Sequence, residues 1–190
     1  MHIGLFFGSF NPIHAGHLVL ANYMASFTDL EQVWFVVSPQ NPLKQKSTLL
    51  DQNQRLHMVN LAIDANLKFK SSNIEFDLPK PSYTINTLAH LKEKYPNHSF
   101  SLIIGEDNLE SFTKWKNYEE ILKQHKLYVY PRPNSNSGEL KNHKNVIMTE
   151  APLMDISSTF IRNAIKAKKD VSFFTHPDVW QYIDEMHFYK

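Results

Sequence analysis

Cysteine is absent from this chain of 190 residues, and glycine is scarce, with five residues. Without cysteine no disulfide can form, and a zinc site built from thiolates is excluded as well. This composition fits the reducing environment of the cytoplasm. No apolar run approaches the roughly 18 residues that a membrane-spanning helix needs. No basic segment followed by a cleavage site marks a secretion signal, so we expect none.

An excess of charge of either sign is also missing, since the formal net charge is +1. A balanced chain lacks the broad basic surface with which proteins bind polymeric nucleic acid or anionic membranes. We therefore expect neither as a partner, and a phosphate group must be bound by a few locally placed donors. The hydrophobic content of 42% and the charged content of 21% are ordinary for a globular protein. At this length we expect one domain, residues 1–190, around one core.

Short apolar runs alternate along the chain with segments of helical periodicity. The runs, interpreted as strands, are residues 3–7, 33–37, 74–78, 100–104, 127–130 and 146–149. The periodic segments, interpreted as helices, begin at about residue 16 and then cover 51–65, 82–95, 118–124, 158–168 and 177–187. This alternation predicts an α/β fold: a Rossmann-like, doubly wound, mostly parallel sheet with helices on both faces. Ligands of such sheets bind at the carboxyl ends of the strands.

The first strand runs into a tight turn and then a helix, a connection that favours phosphate binding. Gly8 allows the backbone to turn, and Pro12 prevents a helix from running through the turn. The helix N-terminus that follows presents N–H groups and a partial positive charge. His14 and His17, three residues apart, can point to one side and donate to phosphate oxygens. Two polar loop residues are the alternative, and a zinc site is less favoured because no third ligand lies nearby.

A second helix start, late in the chain, has the same character. Ser157 or Ser158 is predicted to cap the helix, and Arg162 lies four residues after Ser158 on the same face. Hydroxyls, backbone amides and a guanidinium group would then meet at one helix N-terminus, which suits a triphosphate. A capped helix with an exposed arginine is the alternative interpretation.

Both helix starts resemble signatures of the HxGH nucleotidyltransferase superfamily. The first signature is matched by Gly8-Ser9-Phe10-Asn11-Pro12-Ile13-His14-Ala15-Gly16-His17, and the second by Ile156-Ser157-Ser158-Thr159-Phe160-Ile161-Arg162. Two motifs in the right order are far more specific than either alone. Segments between them are similar to those of one member, the nicotinate-nucleotide (nicotinic acid mononucleotide) adenylyltransferases.

The resemblance implies three groups of site residues. The implied catalytic residues are His14, His17 and Arg162. The implied ATP-binding residues are Gly8, Ser9, Phe10, Gly16, Lys44, Gly105, Asp107, Ile156, Ser157 and Ser158. The residues implied to bind the pyridine mononucleotide are Ser82, Tyr83, Thr84, Trp115 and Arg132. The second phosphate-binding motif would belong to the C-terminal helices, at about residues 157–190.

Several of these residues have another interpretation when they are taken alone. Lys44 can reach a phosphate from its proline-containing loop, but a solvated lysine is the commoner case. Ser82 or Thr84 could cap the helix of residues 82–95. Trp115 could belong to the core, whereas the resemblance implies that it stacks on the pyridine ring. Asp107 could be a solvated acid, or it could accept hydrogen bonds from ribose hydroxyls.

Two further charged residues stay undecided at this level. Arg55, on the helix of residues 51–65, could reach a phosphate as Lys44 does, or it could pair with Asp51. Glu106 stands where a small residue is expected, so no role follows for it.

The implied activity is transfer of the adenylyl group from ATP to nicotinate mononucleotide, which gives deamido-NAD and pyrophosphate in NAD biosynthesis. Magnesium is the expected cofactor, held mainly through ATP phosphates and water and without a metal site of the protein's own. We expect a cytoplasmic enzyme, and homo-oligomer formation stays open. The alternatives are nicotinamide mononucleotide or phosphopantetheine as acceptor, a non-catalytic nucleotide-binding module, and a phosphate-binding structural or regulatory protein.

Overall fold

A single parallel sheet organises the part of the chain that the computed structural model describes, residues 1–39, 49–135 and 138–190. Its strands are β1 (His2–Gly8), β2 (Gln32–Val37), β3 (Phe69–Ser72), β4 (Ser99–Gly105), β5 (Leu127–Tyr130) and β6 (Val146–Met148). Every neighbouring pair runs parallel. The order β3-β2-β1-β4-β5-β6 is that of the Rossmann fold, so the predicted fold class is confirmed.

Seven α-helices within the described ranges connect and cover the strands. They are α1 (Ala15–Phe27), α2 (Gln52–Ile63), α3 (Thr84–Lys94), α4 (Glu106–Glu110), α5 (Tyr118–Gln124), α6 (Ser158–Lys166) and α7 (Pro177–Glu185). None of the helices in these ranges is both long and apolar enough to cross a membrane. Helix α4 escapes prediction because five residues are too few to show a helical period.

The sheet separates two layers of buried side chains. In β1, Phe6 packs on one face, whereas Ile3 and Leu5 pack on the other. Successive residues of a strand point to opposite faces, and the neighbouring strands alternate in the same way. Helices α1, α2, α6 and α7 contribute to the first layer, and α3, α4 and α5 contribute to the second. Burial on both faces explains why the central strands are continuous apolar runs in the sequence.

The winding of the chain reverses between β1 and β4, which are neighbours in the sheet. Such a switch point leaves a crevice at the carboxyl ends of the two strands. Here β1 ends at Gly8 and β4 ends at Gly105. The loops after these two residues therefore face the place where a ligand is expected.

One predicted strand, residues 74–78, is wrong. These residues form turns, in which the N–H of Phe76 donates to the carbonyl of Asn73 at 2.9 Å. The third strand is instead Phe69–Ser72, which lies at the edge of the sheet and carries polar side chains. Ile74 lies in a turn, but its apolar side chain is buried against the second layer. The sequence around it therefore has the pattern of a strand. The other predicted elements agree with the structure to within a few residues.

Candidate active site

Arg55 of α2 holds the loop between β1 and α1 in place. Its side chain is fully buried and donates to four backbone carbonyls. The acceptors are the oxygens of Ser9 (2.6 Å), Ser38 (2.8 Å), Pro39 (3.0 Å) and Leu50 (2.9 Å). A phosphate contact of Arg55 is therefore wrong, because its donors are committed to buried carbonyls that need partners. Asp51 makes no ion pair with it among the described contacts and caps α2 through the N–H of Asn53 (2.8 Å).

His14 and His17 lie side by side at the start of α1. Their rings stack with centroids 3.8 Å apart, so both imidazoles face one side, as their spacing predicts. The backbone N–H of His14 donates to Nδ1 of His17 at 3.3 Å. Because Nδ1 accepts this bond, a neutral His17 ring carries its proton on Nε2.

His14 is held in its uncharged form. The residue is 4% exposed, and burial lowers its pKa to about 4, with the charge of Arg132 acting in the same direction. Gly16 makes room for the ring, since a Cβ there would lie 3.1 Å from Nδ1 of His14.

Phe10 supports the histidines from the core side of the loop. Its ring is 1% exposed and packs edge-on against His17, with centroids 5.0 Å apart. The backbone of Phe10 has a φ of 46°, in the left-handed region. A Cβ at Gly8 would collide with the Phe10 ring at 2.7 Å. Because the ring points inward, the predicted ATP contact of Phe10 would have to come from its backbone.

The start of α6 is bonded directly to the same loop. Ser157 caps the helix by accepting from the N–H of Phe160 at 3.1 Å, which confirms one of the two predicted caps. The hydroxyl of Ser158 donates to the carbonyl of Pro12 at 2.9 Å. Arg162 donates to the carbonyl of Asn11 at 2.8 Å. The two sequence motifs thus form one structural unit, although 146 residues separate Pro12 from Ser158.

A cavity of about 610 Å³ opens between this unit and the ends of β4 and β5. The predicted residues that line it are Gly8, Ser9, Phe10, His14, Gly16, His17, Asp107, Arg132, Ile156, Ser157, Ser158 and Arg162. The predicted residues that do not line it are Ser82, Tyr83, Thr84, Gly105 and Trp115. Lys44 lies outside the described residues.

Asp107 and Arg132 line the cavity near the carboxyl ends of β4 and β5. Nε of Arg132 lies 3.7 Å from Oδ1 of Asp107, so the two make a loose ion pair. Gly105 permits this close approach, since a Cβ there would collide with the Asp107 carboxylate and come within 3.2 Å of the Arg132 side chain. Gly105 therefore contributes by leaving space for the pair, although it does not line the cavity itself.

Four of the five residues predicted to bind the pyridine nucleotide, all except Arg132, occupy two segments that lie side by side. Nζ of Lys116 sits 4.5 Å from the centroid of the Tyr83 ring, which brings the segment at Trp115 next to residues 82–84. Trp115 is partly buried and contacts Phe112, with ring centroids 4.8 Å apart. The predicted caps of α3, Ser82 and Thr84, are wrong, because Tyr83 holds the cap position and no side chain bonds there.

Several cavity residues were absent from the predicted site, and they differ in how far the sequence signals them. They are Phe6, Phe7, Asn11, Leu20, Leu49, Asn108, Tyr130, Met154 and Thr159. Tyr130 ends a predicted strand, so the rule that ligands bind at strand ends could have identified it. Asn11 lies inside the first motif; its side-chain oxygen accepts from the N–H of Leu50 (3.3 Å) and the hydroxyl of Tyr189 (2.8 Å). No sequence signal marks Met154.

The described side chains of this site do not form a cluster of metal ligands. Among the described residues, no three or more His, Asp or Glu side chains are grouped so that they could hold a metal ion. The polar groups around the cavity are mainly imidazoles, hydroxyls, amides and guanidinium groups, with one carboxylate, Asp107, which pairs with Arg132. Such groups suit oxyanions better than hard cations.

The fold and the site together define a nucleotidyltransferase of the α/β class, with two histidines and a helix N-terminus at the switch point of a Rossmann-type sheet. A family model described as cytidylyltransferase-like matches residues 5–164. The chain belongs to this family and, within it, to the nicotinate-nucleotide adenylyltransferases.

Full-length relatives support this assignment. The chain is 59% identical to a probable nicotinate-nucleotide adenylyltransferase of Flavobacterium johnsoniae over 192 aligned positions, which cover 100% of both chains. It is 48% identical to a protein of the same name from Bacteroides thetaiotaomicron, with 96% of this chain and 90% of the relative covered.

Solved structures agree on the fold. The nicotinic acid mononucleotide adenylyltransferase of Plasmodium falciparum, complexed with NaAD, superposes with a TM-score of 0.82 at 20% identity, covering 99% of this chain and 97% of the other. A putative nicotinate-nucleotide adenylyltransferase of Vibrio parahaemolyticus gives 0.73 at 24% identity, with 99% and 94% covered.

Proposed function

We propose that this enzyme transfers the adenylyl group of ATP to nicotinate mononucleotide, giving deamido-NAD and pyrophosphate. The observation that carries the proposal is the junction of the two motifs, in which Ser158 and Arg162 bond the loop that leads to His14 and His17. This junction places two imidazoles and a guanidinium group around one cavity. The Plasmodium enzyme, of the same fold, was solved in complexes with NaAD and with APC, which supports nucleotides as the ligands.

In the reaction, an oxygen of the mononucleotide's phosphate attacks the α-phosphorus of ATP. The new P–O bond forms as the bond to the β-phosphate breaks, and the electron pair leaves with pyrophosphate. No general base is required, because a phosphate monoester with a second pKa of about 6 is mostly ionised at neutral pH. The protein's task is therefore to align two anions and to stabilise the charge that develops between them.

His17 and His14 are the proposed donors to the α-phosphate. The acceptor role of Nδ1 in His17 leaves its proton on Nε2, which suits donation to a phosphate oxygen. His14 donates as a neutral ring, since its pKa is about 4. Arg162 and the N-terminus of α6 would hold the phosphates that leave. The hydroxyl of Ser158 already donates to Pro12, so its backbone N–H is the donor we assign to ATP.

Magnesium in this proposal would be held by the phosphates of ATP rather than by side chains of the protein. When bound, it would supply positive charge that offsets the charge of the phosphates. The donor set of the cavity fits this arrangement, because its groups bind oxyanions and leave the cation to the substrate. Lys44 remains a predicted phosphate ligand. A cytoplasmic location likewise remains a prediction, and the oligomeric state stays open.

Nicotinate is the preferred acceptor in this proposal because of Lys116. Its ammonium group lies against Tyr83, inside the pair of segments assigned to the pyridine nucleotide. A cation there favours a carboxylate over the neutral amide of nicotinamide.

The test is pyrophosphate release from ATP and magnesium, with nicotinate mononucleotide, nicotinamide mononucleotide or phosphopantetheine as the sole acceptor. We expect strong preference for the first. The variant His17→Ala should lose turnover by about two orders of magnitude or more, whereas His90→Ala, a change at an exposed histidine on α3, should not. Turnover with phosphopantetheine alone, or none with any acceptor, would contradict the proposal. Equal use of both pyridine nucleotides would support the adenylyl transfer but contradict the proposed preference for nicotinate mononucleotide.

A further inference from the structure

Glu75 is a buried carboxyl group to which the proposed reaction assigns no task. It lies in the turns after β3 and is 3% exposed. The hydroxyl of Thr87 donates to its Oε1 at 2.8 Å, and the hydroxyl of Ser82 donates to its Oε2 at 3.3 Å. Ser38 bonds to the same carboxyl group. One side chain thus accepts hydrogen bonds from three separate parts of the chain.

Through Glu75, residues 82–84, which we call the acceptor segment, are linked to two other parts of the fold. Ser38 directly follows the carboxyl end of β2, and Ser82 opens the segment predicted to bind the pyridine nucleotide. Thr87 lies in the first turn of α3 and is fully buried. Glu75 therefore connects the acceptor segment to the sheet on one side and to α3 on the other.

Other contacts of residues 82–84 include a long hydrogen bond of 3.4 Å from the Thr87 hydroxyl to the carbonyl of Tyr83 and the contact of Lys116 with the Tyr83 ring. The N-cap position of α3 is Tyr83, whose side chain makes no capping hydrogen bond. Tyr83 itself is 39% exposed. The bond from Ser82 to Glu75 is the side-chain tether that the structure provides directly before the helix.

Burying a carboxyl group costs free energy that an apolar side chain of similar size would not cost. Filling space is therefore a poor explanation for Glu75. No cation lies within ion-pair distance of Glu75 among the described residues. Burial raises its pKa, and the hydroxyl partners oppose that rise by bonding the ionised form. A carboxylate, with two oxygens that only accept, can orient several hydroxyls at once.

We propose that Glu75 is a positioning residue, which holds residues 82–84 in the conformation that binds the pyridine mononucleotide. It sets the affinity for this substrate through Ser82 and Thr87, because its burial prevents direct contact with a ligand. The inference rests on the proposed function and adds to it a residue outside both signature motifs.

The test compares Glu75→Gln and Thr87→Val with wild type in steady-state assays that vary each substrate separately. The amide has one acceptor oxygen and one NH2 donor in place of two acceptor oxygens, so at least one hydroxyl must reverse its hydrogen bond or lose it. For Glu75→Gln we expect KM for nicotinate mononucleotide to rise about tenfold, while KM for ATP and kcat stay within about twofold. Thr87→Val should change KM in the same direction by a smaller factor. Glu93→Gln, which alters an exposed glutamate on α3, is the matched control and should resemble wild type.

Two outcomes would overturn the inference while the proposed function stands. One is an unchanged KM for the mononucleotide in both variants, and the other is an equal rise in KM for both substrates. If Glu75→Gln does not fold, Thr87→Val decides by the same ratio of the two KM values. Failure of the proposed function would show separately, as a wild-type enzyme that does not use nicotinate mononucleotide.

Discussion

His14 shows how a single side chain in this site depends on its surroundings. An imidazole in water has a pKa near 6.5, whereas burial and the charge of Arg132 lower the pKa of His14 to about 4. The same burial that keeps the ring neutral also makes its protonation cost free energy in the folded state. A residue suited to the reaction is thereby a source of acid sensitivity.

The pH dependence of stability tests this coupling. Because the pKa of His14 is lower in the folded state, its contribution to stability is present above pH 6.5 and is lost as the pH falls toward 4. Between pH 7 and pH 4.5 this residue alone should remove about 2–3 kcal/mol from the free energy of unfolding. The variant His14→Asn should lose less stability than wild type by that amount in urea titrations at the two pH values.

An exposed histidine provides the control for this measurement. His90→Asn should follow the wild-type pH dependence, since His90 is exposed on α3. If His14→Asn loses as much stability as wild type on acidification, the inference that burial keeps His14 uncharged in the folded protein would be wrong.

At the same scale, the sequence reveals the polar residues that line the site better than the buried polar residues that hold them in place. The spacing of His14 and His17 and the cap at Ser157 could be recognised because each follows from helical geometry. Arg55 could not, since a buried arginine that bonds four carbonyls has the same local sequence as a solvated one. Glu75 was likewise hidden, inside residues mistaken for a strand.

At the scale of elements, α2 holds two loops that follow neighbouring strands of the sheet. Its Arg55 bonds the carbonyl of Ser9 in the loop after β1 and those of Ser38 and Pro39 after β2. A guanidinium fork can serve several carbonyls at fixed angles, which an ammonium group cannot do. The element therefore couples the ends of two neighbouring strands.

Replacing this group should affect stability and catalysis together. Arg55→Lys retains the charge but leaves buried carbonyls without donors, so we expect a loss of about 2–4 kcal/mol in the free energy of unfolding. Because the loop that leads to His14 loses its anchor, kcat should fall as well. Chemical denaturation and steady-state kinetics measure the two effects, and Lys123→Arg, at an exposed lysine of α5, is the control for exchanging one basic side chain for the other. If the Arg55→Lys variant is destabilised but its kcat is unchanged, Arg55 stabilises the fold without positioning the catalytic residues.

The position of β3 at the edge of the sheet explains why the sequence does not predict this strand. The central strands are apolar on both faces and were recognised because both faces are covered by helices. The edge strand Phe69–Ser72 has little to bury, so its sequence carries no strand signal. The turn residues at 74–78 carry that signal instead, because Ile74 is buried.

At the scale of the whole molecule, distant parts of the chain meet at Asn11. Its carbonyl accepts from Arg162 of α6 at 2.8 Å, and its side chain accepts from the hydroxyl of Tyr189, which follows α7, at 2.8 Å. Burial raises the pKa of Tyr189, so this hydroxyl stays protonated and remains a donor. The sequence shows none of these contacts, because they join residues up to 178 positions apart.

Removing the Tyr189 hydroxyl should therefore disturb the loop between β1 and α1, to which the proposed reaction assigns His14. In Tyr189→Phe, Asn11 loses one donor while packing is retained, so the free energy of unfolding should fall by only about 1 kcal/mol. We expect kcat to fall about tenfold with little change in either KM, because small displacements of aligned groups affect the transition state most. Tyr23→Phe is the matched control, since the Tyr23 hydroxyl has no hydrogen bond among the described contacts and its ring stacks on Phe27. An equal effect of both substitutions on kcat, or none of either, would mean that α7 and the residues after it stabilise the fold without positioning the site.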